Sequence, residues 1–317
     1  MYPETSVESK ANDGISLLKM SQLLPEFLRH GQVDLSFSAE TLKKYGECLQ
    51  WIIRDIGDLA VTALDTGHIS LLKQKLMERD VGQARIASMV FSLKSFLRFC
   101  KNDKQLHVLD PKQVKSPKRE RREVEYLTNE EVSQLVNSIK IETKWHNSKQ
   151  GRFINMEGLR FRTLVEVLLG TGMRISEALA LDRNHIDCVQ KEAKIIGKGN
   201  KQRTVFFTDR ALYWIKTYLD LRQDTEPALF ITQRLTRLSR CDVSGLFKRY
   251  TKKVGINKKI TPHILRHTTA TNLLFNGCPI GHIKEILGHN RLETTCRYYL
   301  GLDKRQAKQA HGQFLNF

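Results

Sequence analysis

The chain is short of several things that would settle its class at once. It has six cysteines, Cys48, Cys100, Cys188, Cys241, Cys278 and Cys296, and none stands in a C-x-x-C pair. That spacing argues against a zinc ribbon or a disulfide framework. It has no apolar run long enough to span a bilayer; Leu164-Val165 with Val167-Leu168-Leu169 is among the longest. Met1 to Asp13 holds three acids and one lysine and no apolar signal core, so the expected location is the cytoplasm. Acidic residues are too few: 34 Asp and Glu stand against 52 Lys and Arg, a formal net charge of +18. Such an excess points to nucleic acid or an anionic membrane surface, and less readily to a soluble protein that merely happens to be basic. There is no internal repeat and no low-complexity tract. No acidic cluster has the spacing a metal-dependent nuclease needs.

At 317 residues, two domains fit better than one. Residues from about Ile15 to Cys100 read as helical. Ile15, Leu17, Leu18, Met20 and Leu23 begin one amphipathic segment. Ser38 is a plausible N-cap for a helix through Leu42, Tyr45, Leu49, Ile52 and Ile53. Ile86, Met89, Val90, Leu93, Leu97 and Cys100 recur at spacings of three and four, a stripe read as core. Asp110-Pro111 then breaks the pattern. Lys112, Lys115, Lys118, Arg119, Arg121 and Arg122 follow in a stretch that includes Pro117 and reads as an extended basic linker lying along a DNA backbone.

Past the linker, Thr128 with Glu131 forms a capping-box pattern. Phe161 to Leu169 predicts a buried helix stopped by Gly170 and Gly172. Lys194 to Ile196 and Thr204 to Phe207, joined through Gly197-Lys-Gly-Asn200, predict a β-hairpin. The rest reads as helical to near the end.

Chemistry-bearing residues cluster in this second half. Arg174 follows a glycine turn and opens a helix, where free N–H groups and the helix dipole attract anions. Glu177, three residues on, shares its face and can orient the guanidinium. Gly197-Lys198-Gly199 lacks the spacing of a phosphate-cradling P-loop and reads as a hairpin tip carrying a lysine. Thr261-Pro262 is a helix start, with His263 and Arg266 on one face. His267 lies one turn from His263, but Ile264 stands where a zinc protease has Glu, and no acidic third ligand is near. His267 is therefore read as a packing or hydrogen-bonding residue, and no metal site is expected. His289 follows Gly288, a helix C-cap. Tyr298 comes nine residues later; its neighbour Tyr299 points about 100° away on a helix.

Jointly these residues resemble the tyrosine recombinases, or phage-type integrases, and in particular their short Xer-like members. The match runs through Arg174 in Thr-Gly-x-Arg-x-Ser-Glu, Lys198 in Gly-Lys-Gly-Asn-Lys, His263 and Arg266 in His-x-Leu-Arg-His, His289 in Leu-Gly-His and Tyr298 in Thr-Thr-x-x-Tyr, with 24 residues from Arg174 to Lys198. It departs at Tyr299, where a small or polar residue is usual, and in an insert around Lys144 to Gly151.

The resemblance implies a mainly α fold with a small antiparallel β-sheet, built as a two-domain C-shaped DNA clamp. Residues 15–107 would form the helical core-binding domain, 108–125 the basic linker and 126–317 an α+β catalytic domain with an assembly tail. It implies that Arg174 and Arg266 clamp the scissile phosphate, that Tyr298 attacks phosphorus, and that Lys198 protonates the departing 5′-oxygen. His263 and His289 would bond the phosphate or assist proton transfer, with Glu177 supporting from behind. Lys201 and Arg203 join the linker cations as expected DNA contacts. No cofactor is implied. The implied partners are double-stranded DNA with a specific core site, a synaptic tetramer of the chain held through residues 313–317, and an accessory DNA-bending protein or a second recombinase; no membrane is involved. The tail Phe314-Leu-Asn-Phe317 either docks into a neighbouring protomer or folds back on its own domain. The short segment before the first helices argues mildly against the large phage-integrase architecture with a separate arm-binding domain. A type IB topoisomerase and a non-catalytic DNA-binding regulator stay open as alternatives.

Overall fold

The computed structural model describes residues 18–117, 125–141, 145–148, 151–154, 156–197, 202–288 and 311–312, with 145–148 and 151–154 as backbone alone. The chain divides into two compact units, Met1–Arg121 and Arg122–Phe317.

The described part of the first unit is helical: α1 (Met20–Val33), α2 (Ala39–Ile56), α3 (Thr66–Glu78) and α4 (Gln83–Asn102). Ser38 caps α2 as its position predicts, its hydroxyl accepting from the Thr41 N–H. Asp65 caps α3 in the same way through His68. The stripe on α4 is core: Ile86, Met89, Val90, Leu93, Leu97 and Cys100 are all buried. They close on Leu23 and Phe27 of α1 and on Leu49 and Ile52 of α2, which are equally buried. Phe27 stacks on Tyr45 at 5.8 Å and meets the Phe96 edge at 5.6 Å. The first described helix starts at Met20; Leu18 packs beside the core from outside it, and Ile15 and Leu17 of the apolar pattern lie outside the described residues.

The second unit opens with α5 (Asn129–Ser138), whose capping box forms as read: Thr128 Oγ1 accepts from the Glu131 N–H and Glu131 accepts from the Thr128 N–H. An antiparallel pair follows, β1 (Trp145–Ser148) and β2 (Gly151–Ile154), in the segment read from sequence only as an insert. Then comes α6 (Glu157–Thr171), buried along most of its length. Its end differs from expectation. Gly170 lies within the helix, and Gly172 alone ends it, at φ +61°. Phe161 of α6 stacks on Tyr250 at 4.4 Å and takes the Phe247 edge at 5.0 Å.

After α7 (Ile175–Ala180) the chain forms a three-stranded antiparallel sheet, β3 (Ile186–Asp187), β4 (Glu192–Ile196) and β5 (Gln202–Phe206), in that order. The predicted hairpin is thus β4–β5, in register Ala193↔Val205 and Ile195↔Arg203. Next come α8 (Asp209–Asp220), α9 (Arg240–Val254), α10 (Pro262–Phe275) and α11 (Ile280–Leu287). Residues 221–239 are not helical, contrary to the sequence reading. Arg222 holds them by donating to the Ala228 and Leu229 carbonyls and to Asp224, so buried backbone there is satisfied without a helix.

Entry of the chain into this unit is pinned from behind. The Leu127 N–H donates to Thr268 Oγ1 on α10 at 2.9 Å, a buried bond, and Lys258 Nζ holds the Tyr126 carbonyl. No helix among the described residues is long and apolar enough to cross a membrane.

Candidate active site

The site assembles where three helix ends meet. Gly172 closes α6 in the left-handed region, and a Cβ there would lie 2.7 Å from Leu287 Cδ2. This lets the chain turn at once into Arg174, the N-cap of α7. Glu177 then folds back: Oε2 accepts from the Arg174 backbone N–H at 2.8 Å and Oε1 from Arg174 Nη1 at 2.8 Å. The predicted orientation of the guanidinium by Glu177 is thus present. Glu177 is buried, which alone would push its carboxyl up; the Arg174 N–H, then the Arg203 and Arg174 guanidiniums, outweigh burial and hold it below 4.5.

From α10 come His263, Arg266 and His267. Thr261 caps this helix through the Ile264 N–H, with Pro262 in its first turn. Arg266 is buried; its Nη1 donates to the Gly172 carbonyl at 2.7 Å and its Nη2 to the Leu287 carbonyl at 2.6 Å. His263 is on the exposed side of the helix, and partial burial with the Arg266 and Arg174 charges pushes its imidazole below 6.5. His267 lies edge-on to His263 at 4.0 Å between ring centroids. Burial first, then His263 and Arg266, push it down to about 4, so it is a neutral ring at physiological pH. No group of three or more His, Cys, Asp and Glu side chains among the described residues is placed to hold a metal ion.

One relationship was not read from the sequence. The last carbonyls of a helix lack intrahelical partners and sit at the negative end of its dipole. At the end of α11 three successive carbonyls each receive one guanidinium. Arg203 Nη1 takes Ile286 at 2.7 Å, Arg266 Nη2 takes Leu287 at 2.6 Å, and Arg174 Nη2 takes Gly288 at 3.1 Å. Gly288 itself is at φ +62°, and a Cβ on it would meet Arg203 Cδ and Nε at 2.6 Å. The next residue in the chain is His289.

Arg203 was expected on DNA and instead turns inward. Its side chain is 14% exposed, with Nη2 on Glu177 Oε2 at 2.9 Å. The strand pattern carried this signal: Arg203 pairs with buried Ile195 and lies two residues from buried Val205, so it shares their face. Lys112 and Lys115, on the first unit, are exposed; the Lys115 carbonyl accepts from Lys73 Nζ. Lys118, Arg119, Arg121, Arg122, Lys198, Lys201, His289, Tyr298 and the tail 313–317 lie outside the described residues.

The model of the phage integrase family matches residues 125–305. The chain is 29% identical over 304 residues to tyrosine recombinase XerD of Staphylococcus epidermidis, covering 93% of this chain and 99% of that one. It is 29% identical over 310 residues to tyrosine recombinase XerC of Chlamydia muridarum, covering 94% of each. In fold it is similar to the Tn1549 transposon integrase solved with circular intermediate DNA, at a TM-score of 0.70 and 18% identity, over 92% of this chain and 98% of that one. It is also similar to a lambda integrase dimer bound to a COC′ core site, at a TM-score of 0.73 and 14% identity, over 95% of this chain and 82% of that one. With a family match over more than half its length, and two arginines of the family pattern brought to one helix end, the chain belongs to the phage integrase family.

Proposed function

We propose that the protein is a site-specific DNA recombinase that cleaves and rejoins strands through a 3′-phosphotyrosyl intermediate and a Holliday junction, acting as a tetramer on two duplexes. The observation that carries this reading is the convergence of Arg174 and Arg266 on the Gly288 and Leu287 carbonyls, directly before His289. Two guanidiniums fixed side by side can stabilise the charge that builds on the nonbridging oxygens of a pentavalent phosphorus. His263, exposed on the same helix as Arg266, has its pKa pushed down by partial burial and the Arg266 and Arg174 charges, and can accept or pass a proton. Tyr298 is the nucleophile, forming the phosphotyrosyl bond and displacing the 5′-oxygen, which Lys198 protonates to a hydroxyl. His289 bonds the phosphate. The energy of the broken bond is kept in the covalent link, and a 5′-hydroxyl from the second duplex reverses the step.

In the domain assignment that goes with this reading, residues 15–107 bind the core site, 108–125 link along the backbone, and 126–317 carry catalysis and the assembly tail. The DNA complexes solved for the Tn1549 and lambda integrases support double-stranded DNA as the partner. The net charge of +18 supports it independently. The place of action is the cytoplasm, at the nucleoid.

The test is a nicked suicide substrate without divalent metal. Wild type and Tyr299→Phe should trap a covalent protein–DNA adduct, and Tyr298→Phe should bind but trap none. Absence of an adduct from wild type favours a non-catalytic regulator. Adduct formation with relaxation of one duplex, but no strand exchange between two, favours a type IB topoisomerase.

A further inference from the structure

We propose that Arg203 is a positioning residue for the phosphate clamp, acting through Glu177 and the end of α11 rather than on DNA. This rests on the recombinase reading above.

Arg203 spans two acceptors on different elements. Nη2 meets Glu177 Oε2 at 2.9 Å, and Nη1 meets the Ile286 carbonyl at 2.7 Å. Glu177 uses its other oxygen, Oε1, on Arg174 Nη1. The carboxylate therefore bridges two guanidiniums, one from α7 and one from β5. The same two guanidiniums bond Gly288 and Ile286 at the other end. The result is a closed loop of bonds: Arg174 to Glu177, Glu177 to Arg203, Arg203 to α11, α11 back to Arg174. Removing Arg203 opens the loop twice. Glu177 loses its second cation and is left to Arg174 alone, and the Ile286 carbonyl loses its donor.

A phosphate role for Arg203 is disfavoured by the same geometry. Its side chain is largely buried and lies against Gly288, too close for a Cβ there. A planar fork can hold a carboxylate and a carbonyl together, whereas a lysine ammonium is a single point of charge. That distinction makes the proposal testable.

The experiment measures single-turnover covalent cleavage of the suicide substrate, with DNA affinity measured in parallel, for wild type, Arg203→Met and Arg203→Lys. Arg203→Met should slow cleavage by about 10- to 100-fold at saturating DNA, with Kd within about threefold of wild type. Arg203→Lys should fall between the two. In the Glu177→Gln background, Arg203→Met should add less than threefold, because the link it served is already cut. A large loss of DNA affinity with an unchanged rate at saturation would return Arg203 to the DNA surface and overturn the proposal. So would a cleavage rate within twofold of wild type for both variants. If Arg203→Met does not fold, Arg203→Lys decides: a rate equal to wild type refutes the proposal, and a loss of about 3- to 10-fold at unchanged Kd sustains it. Failure of wild type to form any adduct would instead refute the recombinase reading, a separate result.

Discussion

The Arg174 guanidinium donates to the Gly288 carbonyl across 3.1 Å, so the residue that opens α7 and the residue that closes α11 share a bond. Gly288 can make this contact only in its left-handed conformation and only without a Cβ, since Arg203 fills that space at 2.6 Å. Gly288→Ala should cost about 1–3 kcal/mol of stability from backbone strain and displacement of Arg203. Urea denaturation of the full chain measures it; a change under about 0.5 kcal/mol would contradict the close approach.

Glu177 provides a test by pH. Its folded pKa lies below the ordinary 4.5, so its contribution is complete above pH 4.5 and is lost as pH falls through the folded value. Glu177→Gln leaves the half-buried Arg174 and Arg203 guanidiniums without their carboxylate and should cost about 1–3 kcal/mol at pH 7. The gap between wild type and variant should shrink as the pH is lowered below 4.5. Denaturation curves at pH 7, 5 and 3.5 check both the size and the sign.

His267 should make the unit acid-sensitive at a higher pH. Its ring titrates at about 4 in the folded chain against 6.5 unfolded. The unfolded state therefore binds the extra proton between those values, and stability is lost as pH falls from 6.5 to about 4. His267→Gln should remove part of that slope, about 2 kcal/mol across the window after allowing for water around a partly exposed ring. Parallel slopes for the two proteins would contradict this assignment.

For Lys198, the leaving-group role predicts selective rescue. An alkoxide needs a proton on departure and a thiolate does not. Lys198→Ala should cleave ordinary DNA about 100-fold or more slowly, and a 5′-bridging phosphorothiolate should recover most of the rate. Equal impairment on both substrates would make Lys198 a binding residue.

What was readable in the sequence was local. Ser38, Thr128 and Thr261 cap helices because a short side-chain oxygen reaches an N–H two or three residues on, and such a pattern is complete within one turn. Arg174 with Glu177 was readable for the same reason. The inward turn of Arg203 was also present, in the alternation with Val205, but a run of basic residues near a hairpin tip suggested surface first. The segment 221–239 was misread because its order comes from Arg222 reaching carbonyls in a loop, which leaves no periodic trace. The three guanidiniums on Ile286, Leu287 and Gly288 come from three distant stretches of chain, and no spacing rule connects them.

The bond from the Leu127 N–H to Thr268 Oγ1 has a mechanical consequence. Thr268 sits two residues beyond Arg266 on α10, and its hydroxyl also grips the Ile264 carbonyl of the same helix. The point where the chain enters the second unit is therefore fastened to the helix that carries Arg266. One hydroxyl thus ties the opening of the second unit to the body of α10, so the two can shift only together.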